Sequence, residues 1–191
     1  MMRTLAAISV FGLTATAPEL AAALRPLPAP MRAAAGVISL DPQGMPRTLR
    51  ASSNGMVCFL APGSDSLYDA RCYQHQFIVV VERQFQLIAA HVQSDSVRTR
   101  IEAEIRAGRI VLPAQPTAGY RCLGPRRAYL AATDSAGAGI RCWQSIHLPF
   151  RTARELGVID ESQLPDTLHD ADQPFVMGSG TYWAHIMITH P

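Results

Sequence analysis

Two side chains near the C-terminus have the types and spacing that could support chemistry. His185 and Met187 are two residues apart in the apolar stretch 174–188, so on a strand they would lie on the same face. An imidazole nitrogen and a thioether sulfur are ligands that copper accepts, which makes a soft-metal site one prediction. The alternative is that Met187 packs in the core while His185 makes one hydrogen bond at its edge.

Hydrolysis is a second chemical possibility for His185. Ser179 lies in a Gly-Ser-Gly sequence that does not match the G-x-S-x-G nucleophile elbow and does not open a helix. A triad assembled in space from Ser179, His185 and Asp166 stays open as an alternative. Ser145 and His147 also share a strand face, but side chains there run parallel, and we expect the hydroxyl and the ring nitrogen not to meet.

Aromatic side chains beside the histidine predict a binding surface. Tyr182 and Trp183 precede His185, and aromatic rings provide contact area with few rotatable bonds, although they are also ordinary core residues. We therefore predict a non-catalytic site for a small molecule or a cell-envelope component at these three residues. Hydrolysis and copper binding are the alternatives. No cofactor is predicted, because the sequence has no phosphate loop, dinucleotide fingerprint or haem-attachment motif.

The N-terminal residues predict an exported protein. Arg3 is followed by an apolar segment from Leu5 to Ala17, which has the length of a signal-peptide core. Small-residue cleavage patterns end at Ala17 and at Ala23, and Pro18 directly after the first pattern favours the second. An uncleaved anchor is the alternative, but Pro18 and the acidic residue after it interrupt the apolar run. We predict a periplasmic or secreted protein without a stable membrane span after cleavage.

Composition limits the number of domains and the classes of partner. The chain has 191 residues, of which 48% are hydrophobic, enough for one domain with a core. Its formal net charge is only +2, so nucleic acid is not a predicted partner. We predict a signal peptide over residues 1–23, an extended Pro-rich segment over 24–35 that proline keeps from being helical, and one domain over 36–191.

The cysteines predict disulfide bonds. Four are present, an even number that indicates oxidation in an exported protein: Cys58, Cys72, Cys122 and Cys142. Three pairings are possible, and the local one, Cys58–Cys72 with Cys122–Cys142, is favoured because each pair brackets a turn-rich segment. A zinc site is the alternative, and no C-x-x-C spacing supports it.

The last residues of the chain resemble the closing motif of a known family. Residues 174–187 fit P-[FY]-V-M-x-x-G-T-x-[YW]-x-H-[IL]-M, and Asn54, Gly55 and Cys58 fit an N-G-x-x-C element. On these motifs the chain is similar to a family of small secreted or periplasmic bacterial proteins that has no established activity. The resemblance implies a bacterial exported protein, places a histidine beside aromatic residues at His185, and gives no reaction.

The order of the predicted elements indicates an α+β fold. Apolar residues over 73–91 fall near helical spacing, although the β-branched run at 78–81 favours a strand. We predict a helix here, because the length fits and the family resemblance implies one. A second helix is predicted from a cap at 94–96 to a stop at Gly108. Strands and helices do not alternate regularly, so we predict a small antiparallel sheet with helices packed on one face and two disulfides as staples.

Overall fold

A nine-stranded mixed sheet forms the centre of the protein. A computed structural model of the chain describes residues 16–62, 65–164 and 173–189. Its strands are β1 (Gly36–Leu40), β2 (Pro46–Arg50), β3 (Met56–Leu60), β4 (Leu67–Gln74), β5 (Thr117–Pro125), β6 (Tyr129–Leu130), β7 (Ser135–Ala136), β8 (Arg141–His147), β9 (Ile159–Asp160), β10 (Phe175–Met177) and β11 (His185–Thr189). The order in the large sheet is β2-β1-β3-β4-β5-β8-β11-β10-β9, and β6 and β7 form a separate hairpin.

Most neighbouring strands in the large sheet are antiparallel. The exceptions among the described strands are β1 with β3 and β9 with β10, which are parallel. The sequence Asp41-Pro42-Gln43-Gly44, which is typical of a turn, joins β1 and β2 in a hairpin. Because the sheet has nine strands, the prediction of a small sheet was wrong in size, whereas the α+β class is confirmed.

Helices cover both faces of the sheet. They are α1 (Ala17–Leu24), α2 (Ala29–Arg32), α3 (His75–Ala89), α4 (Ser94–Arg106) and α5 (Ala153–Leu156). As predicted, α3 and α4 share one face, where they form the largest core cluster. The prediction of helices on one face only was wrong, because α1 packs on the opposite face. Within the described residues, no helix has both the length and the apolar character needed to cross a membrane.

The β-branched run at 78–81 is helical because its burial follows the helical period. Phe77, Val80 and Val81 are almost completely buried in α3, whereas Val79 is exposed. Burial of one helical stripe contributes more than the small loss of helix propensity of valine and isoleucine. α4 then ends as predicted, with Gly108 in the left-handed conformation two residues beyond its last residue.

The segment before the sheet is folded against it. In α1, Ala22 and Ala23 are buried, and the carbonyl oxygen of Ala22 accepts a hydrogen bond of 2.8 Å from the Tyr68 hydroxyl. Cleavage after Ala23 stays a prediction, and the first fifteen residues of the predicted signal peptide lie outside the described residues. Residues 16–23, however, contribute to the core.

The prediction of an extended segment over 24–35 was wrong. Leu24 is the last residue of α1, and Ala29–Arg32 form the single turn α2, in which Pro30 is the second residue. Proline is excluded from helix interiors because it lacks an N–H and clashes with the preceding turn. In the first turn of a helix the N–H has no partner to lose, so the ring is tolerated.

Both predicted disulfides are present. Cys58–Cys72 joins facing positions of β3 and β4, and Cys122–Cys142 joins facing positions of β5 and β8. The first disulfide is buried beneath α1 in a cluster with Ala23. Two disulfides in one domain indicate an oxidising compartment.

Candidate functional site

Strand register brings two histidines together in the centre of the sheet. His147 at the end of β8 faces His185 at the start of β11, and their ring centroids are 4.8 Å apart. Side chains alternate along a strand, so Ser145 shares a face with His147, and Met187 shares it with His185. This is the face that α3 and α4 cover.

A glycine on the neighbouring strand makes room for a serine–histidine contact. The Oγ atom of Ser145 lies 3.3 Å from Nε2 of His147. Gly119 of β5 faces Ser145, and a Cβ atom there would lie 2.6 Å from that Oγ and 2.9 Å from that Nε2. The expectation that Ser145 and His147 would not meet was therefore wrong, because the space that their approach requires is provided by the missing side chain.

Burial keeps both imidazole rings neutral. The Nδ1 atom of His185 lies 2.7 Å from the backbone oxygen of Trp183, so it donates, and a neutral ring then has its lone pair on Nε2. Burial lowers the pKa of His185. Burial, together with electrostatic repulsion from His185 when that ring is protonated, lowers the pKa of His147 well below 6.5. Within the described residues, Nδ1 of His147 is buried and has no hydrogen-bond partner.

Two arginines share one carboxylate beside the histidines. Asp69 of β4 accepts bonds from Nε and Nη2 of Arg71, at 3.0 and 2.7 Å, and from Nε and Nη2 of Arg121, at 2.8 and 2.9 Å. These bonds and charges outweigh the cost of burial and lower the pKa of Asp69. The guanidinium of Arg121 also lies over the Trp143 ring, 5.3 Å from its centroid.

These side chains surround a cavity of about 270 Å³. The chain contains two tryptophans, and both Trp143 and Trp183 line it. A second cavity of about 270 Å³ adjoins the first, since Trp183, Met177 and Gln84 line both. Tyr182 lines the second cavity. The predicted binding residues thus line two adjoining cavities.

The predicted catalytic set is not assembled among the described residues. The Oγ atom of Ser179 accepts a hydrogen bond of 3.0 Å from the backbone N–H of Ala153, at the start of α5. This contact holds Ser179 at a helix terminus, whereas His185 bonds to Trp183. Asp166 lies outside the described residues. A triad of Ser179, His185 and Asp166 stays an untested prediction.

Metal ligation also stays a prediction. His185 and Met187 both line the cavity, as their shared face requires. Across the described part of the chain, no group of three histidine, cysteine or carboxylate side chains is close enough to hold a metal ion. His147 is a second imidazole beside this pair, which the sequence analysis did not include.

Three charged residues of the site were missed by the sequence analysis, and His147 was considered only in its contact with Ser145. Arg71, Arg121, His147 and Asp69 come from strands that are distant in sequence and meet through strand pairing. One local signal was available: Asp69 and Arg71 are two apart on a strand, which places opposite charges on one face. Their partnership with Arg121 depends on the pairing of β4 with β5.

Acidification below pH 6.5, the usual pKa of histidine, is expected to reduce the free energy of unfolding. Since burial lowers the pKa of His147 and His185 in the folded protein, the unfolded chain binds these protons first as the pH falls. The stability is therefore complete above pH 6.5 and is lost as the pH falls toward the folded-state values. Asp69, with its lowered pKa, adds a loss only below about its usual value of 3.8.

Denaturant unfolding across a pH series measures this loss. The double variant His147→Gln with His185→Gln is expected to have nearly constant stability over the interval in which wild type weakens. An unchanged pH slope in that variant would assign the loss to other groups.

Comparison with family models, with curated proteins and with solved structures found no match to this chain.

Proposed function

We propose that this is an exported bacterial protein that binds a small molecule or cell-envelope component without catalysis. The observation that carries the proposal is that Trp183 and His185, residues of the C-terminal motif, both line the cavity between the sheet and α3. The two disulfides support an exported location, because such bonds persist in oxidising compartments. We also propose membership of the secreted family that the motif resembles.

The cavity wall has the character of a ligand site. Aromatic rings and thioethers form its apolar part, including Trp183, Trp143 and Met187. Polar groups form about half of the wall, and Ser145 and His185 lie beside the arginines. Small-molecule sites combine apolar contact surface with polar groups that fix the orientation of the ligand, and this cavity offers both.

The arrangement favours binding over hydrolysis. A serine nucleophile needs a histidine base whose other nitrogen is held by an acid. Ser145 does contact His147, but the second nitrogen of that ring has no partner among the described residues. Its pKa is also lowered well below 6.5, which makes the ring a poor proton acceptor.

Tryptophan fluorescence offers a direct test, because both tryptophans line the cavity. We expect a screen of small metabolites and envelope fragments to yield compounds that change the emission of wild type and of Trp143→Phe, which retains Trp183. His185→Gln is expected to lower the affinity for such compounds by about tenfold or more, equivalent to about 1.4 kcal/mol. Its unfolding free energy should fall by only about 1 kcal/mol, the value of one buried hydrogen bond.

His75→Gln is the matched control, since His75 is exposed and lies outside the cavity. It should leave both binding and stability unchanged. The proposal is wrong if no compound changes the emission, or if His185→Gln binds every compound as wild type does. Cleavage of an ester probe by wild type that Ser145→Ala abolishes would establish the hydrolase alternative instead.

A further inference from the structure

We propose that the ligand of this cavity carries a carboxylate on a small aromatic body, and that Arg71 and Arg121 bind the carboxylate. The inference rests on the proposed function and specifies the chemistry of its ligand. It follows from an excess of positive charge in the cavity wall, from guanidinium groups that Asp69 uses only in part, and from aromatic rings beside them.

The first step is the charge. Among the described residues that line the cavity, those with a formal charge are Arg71 and Arg121. Asp69 compensates one of the two positive charges, so the group has a net charge of +1. The Arg71 and Asp69 side chains keep only 16% and 12% of their exposure, whereas Arg121 keeps 30%, so the excess positive charge lies on a partly desolvated cluster whose outer member can meet an anion.

The second step is the hydrogen-bonding geometry. Each arginine bonds to Asp69 through Nε and Nη2, and its Nη1 group does not take part. Arg71 also bonds to the Tyr73 side chain. A guanidinium has five N–H donors and stays protonated, so each arginine still has a donor for a second oxygen while it holds Asp69. Bonds between ionised partners are about twice as strong as neutral ones, which favours a carboxylate over an amide.

The third step is access. The Arg121 side chain keeps 30% of its exposure, so this end of the cavity is open to solvent. Glu161, whose charge acts on His185, lines the second cavity and accepts a bond from the backbone N–H of Gly178. It does not line the cavity of the arginines, so an anion that enters beside Arg121 does not have this carboxylate in its wall.

The fourth step is the body of the ligand. Trp143 lies beneath Arg121, and Trp183 contacts His147 and His185 with centroid separations of 5.3 and 6.2 Å. Aromatic rings pack favourably edge-to-face or offset against such walls. A flat aromatic ring with one carboxylate satisfies both the arginines and the tryptophans.

Benzoate and benzamide are the probes, since they have the same flat shape and differ in charge. Titrations followed by tryptophan emission and by ligand-observed NMR are expected to show benzoate binding at least about tenfold more tightly than benzamide. Arg121→Met should reduce benzoate affinity to that of benzamide and leave benzamide affinity unchanged. Arg127→Met, which removes the same charge from an exposed position outside the cavity, is the matched control and should bind both probes as wild type does.

A second variant changes affinity in the opposite direction. Asp69→Asn has nearly the same shape as wild type and raises the net charge of the cluster, so it should bind benzoate more tightly. It also provides the test if Arg121→Met fails to fold.

Equal binding of the two probes, unchanged benzoate affinity in Arg121→Met, or weaker benzoate binding by folded Asp69→Asn would each overturn the inference. If neutral compounds from the wider screen still bind in that case, the proposed binding function stands and only the carboxylate inference fails. If no compound of any charge binds, both proposals fail.

Discussion

A chain that begins at Leu24 is expected to unfold with a free energy about 4 kcal/mol lower than a chain that begins at Thr16. The shorter chain lacks the buried side chains of Ala22 and Ala23 and exposes the apolar surface that they cover. It also leaves the buried Tyr68 hydroxyl without the carbonyl oxygen of Ala22. A loss of this size is a large part of the stability of a typical domain.

Denaturant unfolding of the two chains at neutral pH measures the difference. The long chain with Glu19→Ala is the control, because Glu19 is exposed and acts only in the N-terminal capping box of α1. That change is expected to cost about 1 kcal/mol or less. If the two chains unfold at the same denaturant concentration, α1 contributes nothing to stability, and cleavage after Ala23 would leave the fold intact.

Removing the disulfide between β3 and β4 is expected to cost about 3 kcal/mol of unfolding free energy. The bond joins residues that are 14 apart in sequence, and the loop that it closes reduces the conformational entropy of the unfolded chain. Both half-cystines are fully buried beneath α1, so their replacement also disturbs packing. Cys58→Ala with Cys72→Ala, compared with oxidised wild type by denaturant unfolding, measures this contribution.

The matched control is Cys122→Ala with Cys142→Ala. That bond closes a loop of similar length, with a separation of 20, so the restriction of the unfolded chain is similar. Cys142, in contrast, is exposed, and its loss disturbs packing less. We expect Cys58→Ala with Cys72→Ala to lower the free energy of unfolding more than Cys122→Ala with Cys142→Ala does. Equal stability of the Cys58→Ala, Cys72→Ala variant and wild type would contradict the expectation.

Local patterns predicted the parts of the fold that depend on neighbours in sequence. The hairpin of β1 and β2, the presence of α3 and the stop at Gly108 all follow from residues that are close in sequence. The bounds of α3 were less accurate, because Tyr73 and Gln74, in the helical pattern over 73–91, belong to β4. The disulfides were also predictable, because each closes a short loop between adjacent antiparallel strands. These features need no knowledge of the tertiary structure.

The site depends on pairings that no local pattern contains. Ser145 approaches His147 because Gly119, on another strand, provides space. Arg71 and Arg121 meet at Asp69 only in the observed register of β4 and β5. The packing of α1 was missed for a related reason, because its partners lie on strands that are distant in sequence. The signal peptide stays a prediction.

The positions of the disulfides have a consequence for how the cavity meets a ligand. On three adjacent strands, a half-cystine directly neighbours a cavity residue: Cys72 follows Arg71, Cys122 follows Arg121, and Cys142 precedes Trp143. Neighbouring side chains on a strand point to opposite faces of the sheet. A shift of one residue in strand register would therefore turn the cysteine toward the cavity and the cavity residue toward the reverse face. The Cys58–Cys72 bond fixes the register of β4 against β3, and the Cys122–Cys142 bond fixes the register of β5 against β8, both from the reverse side of the sheet. If the cavity binds a ligand as proposed, Arg71 and the pair of Arg121 with Trp143 are each positioned before it arrives, so that association would have little ordering entropy to overcome.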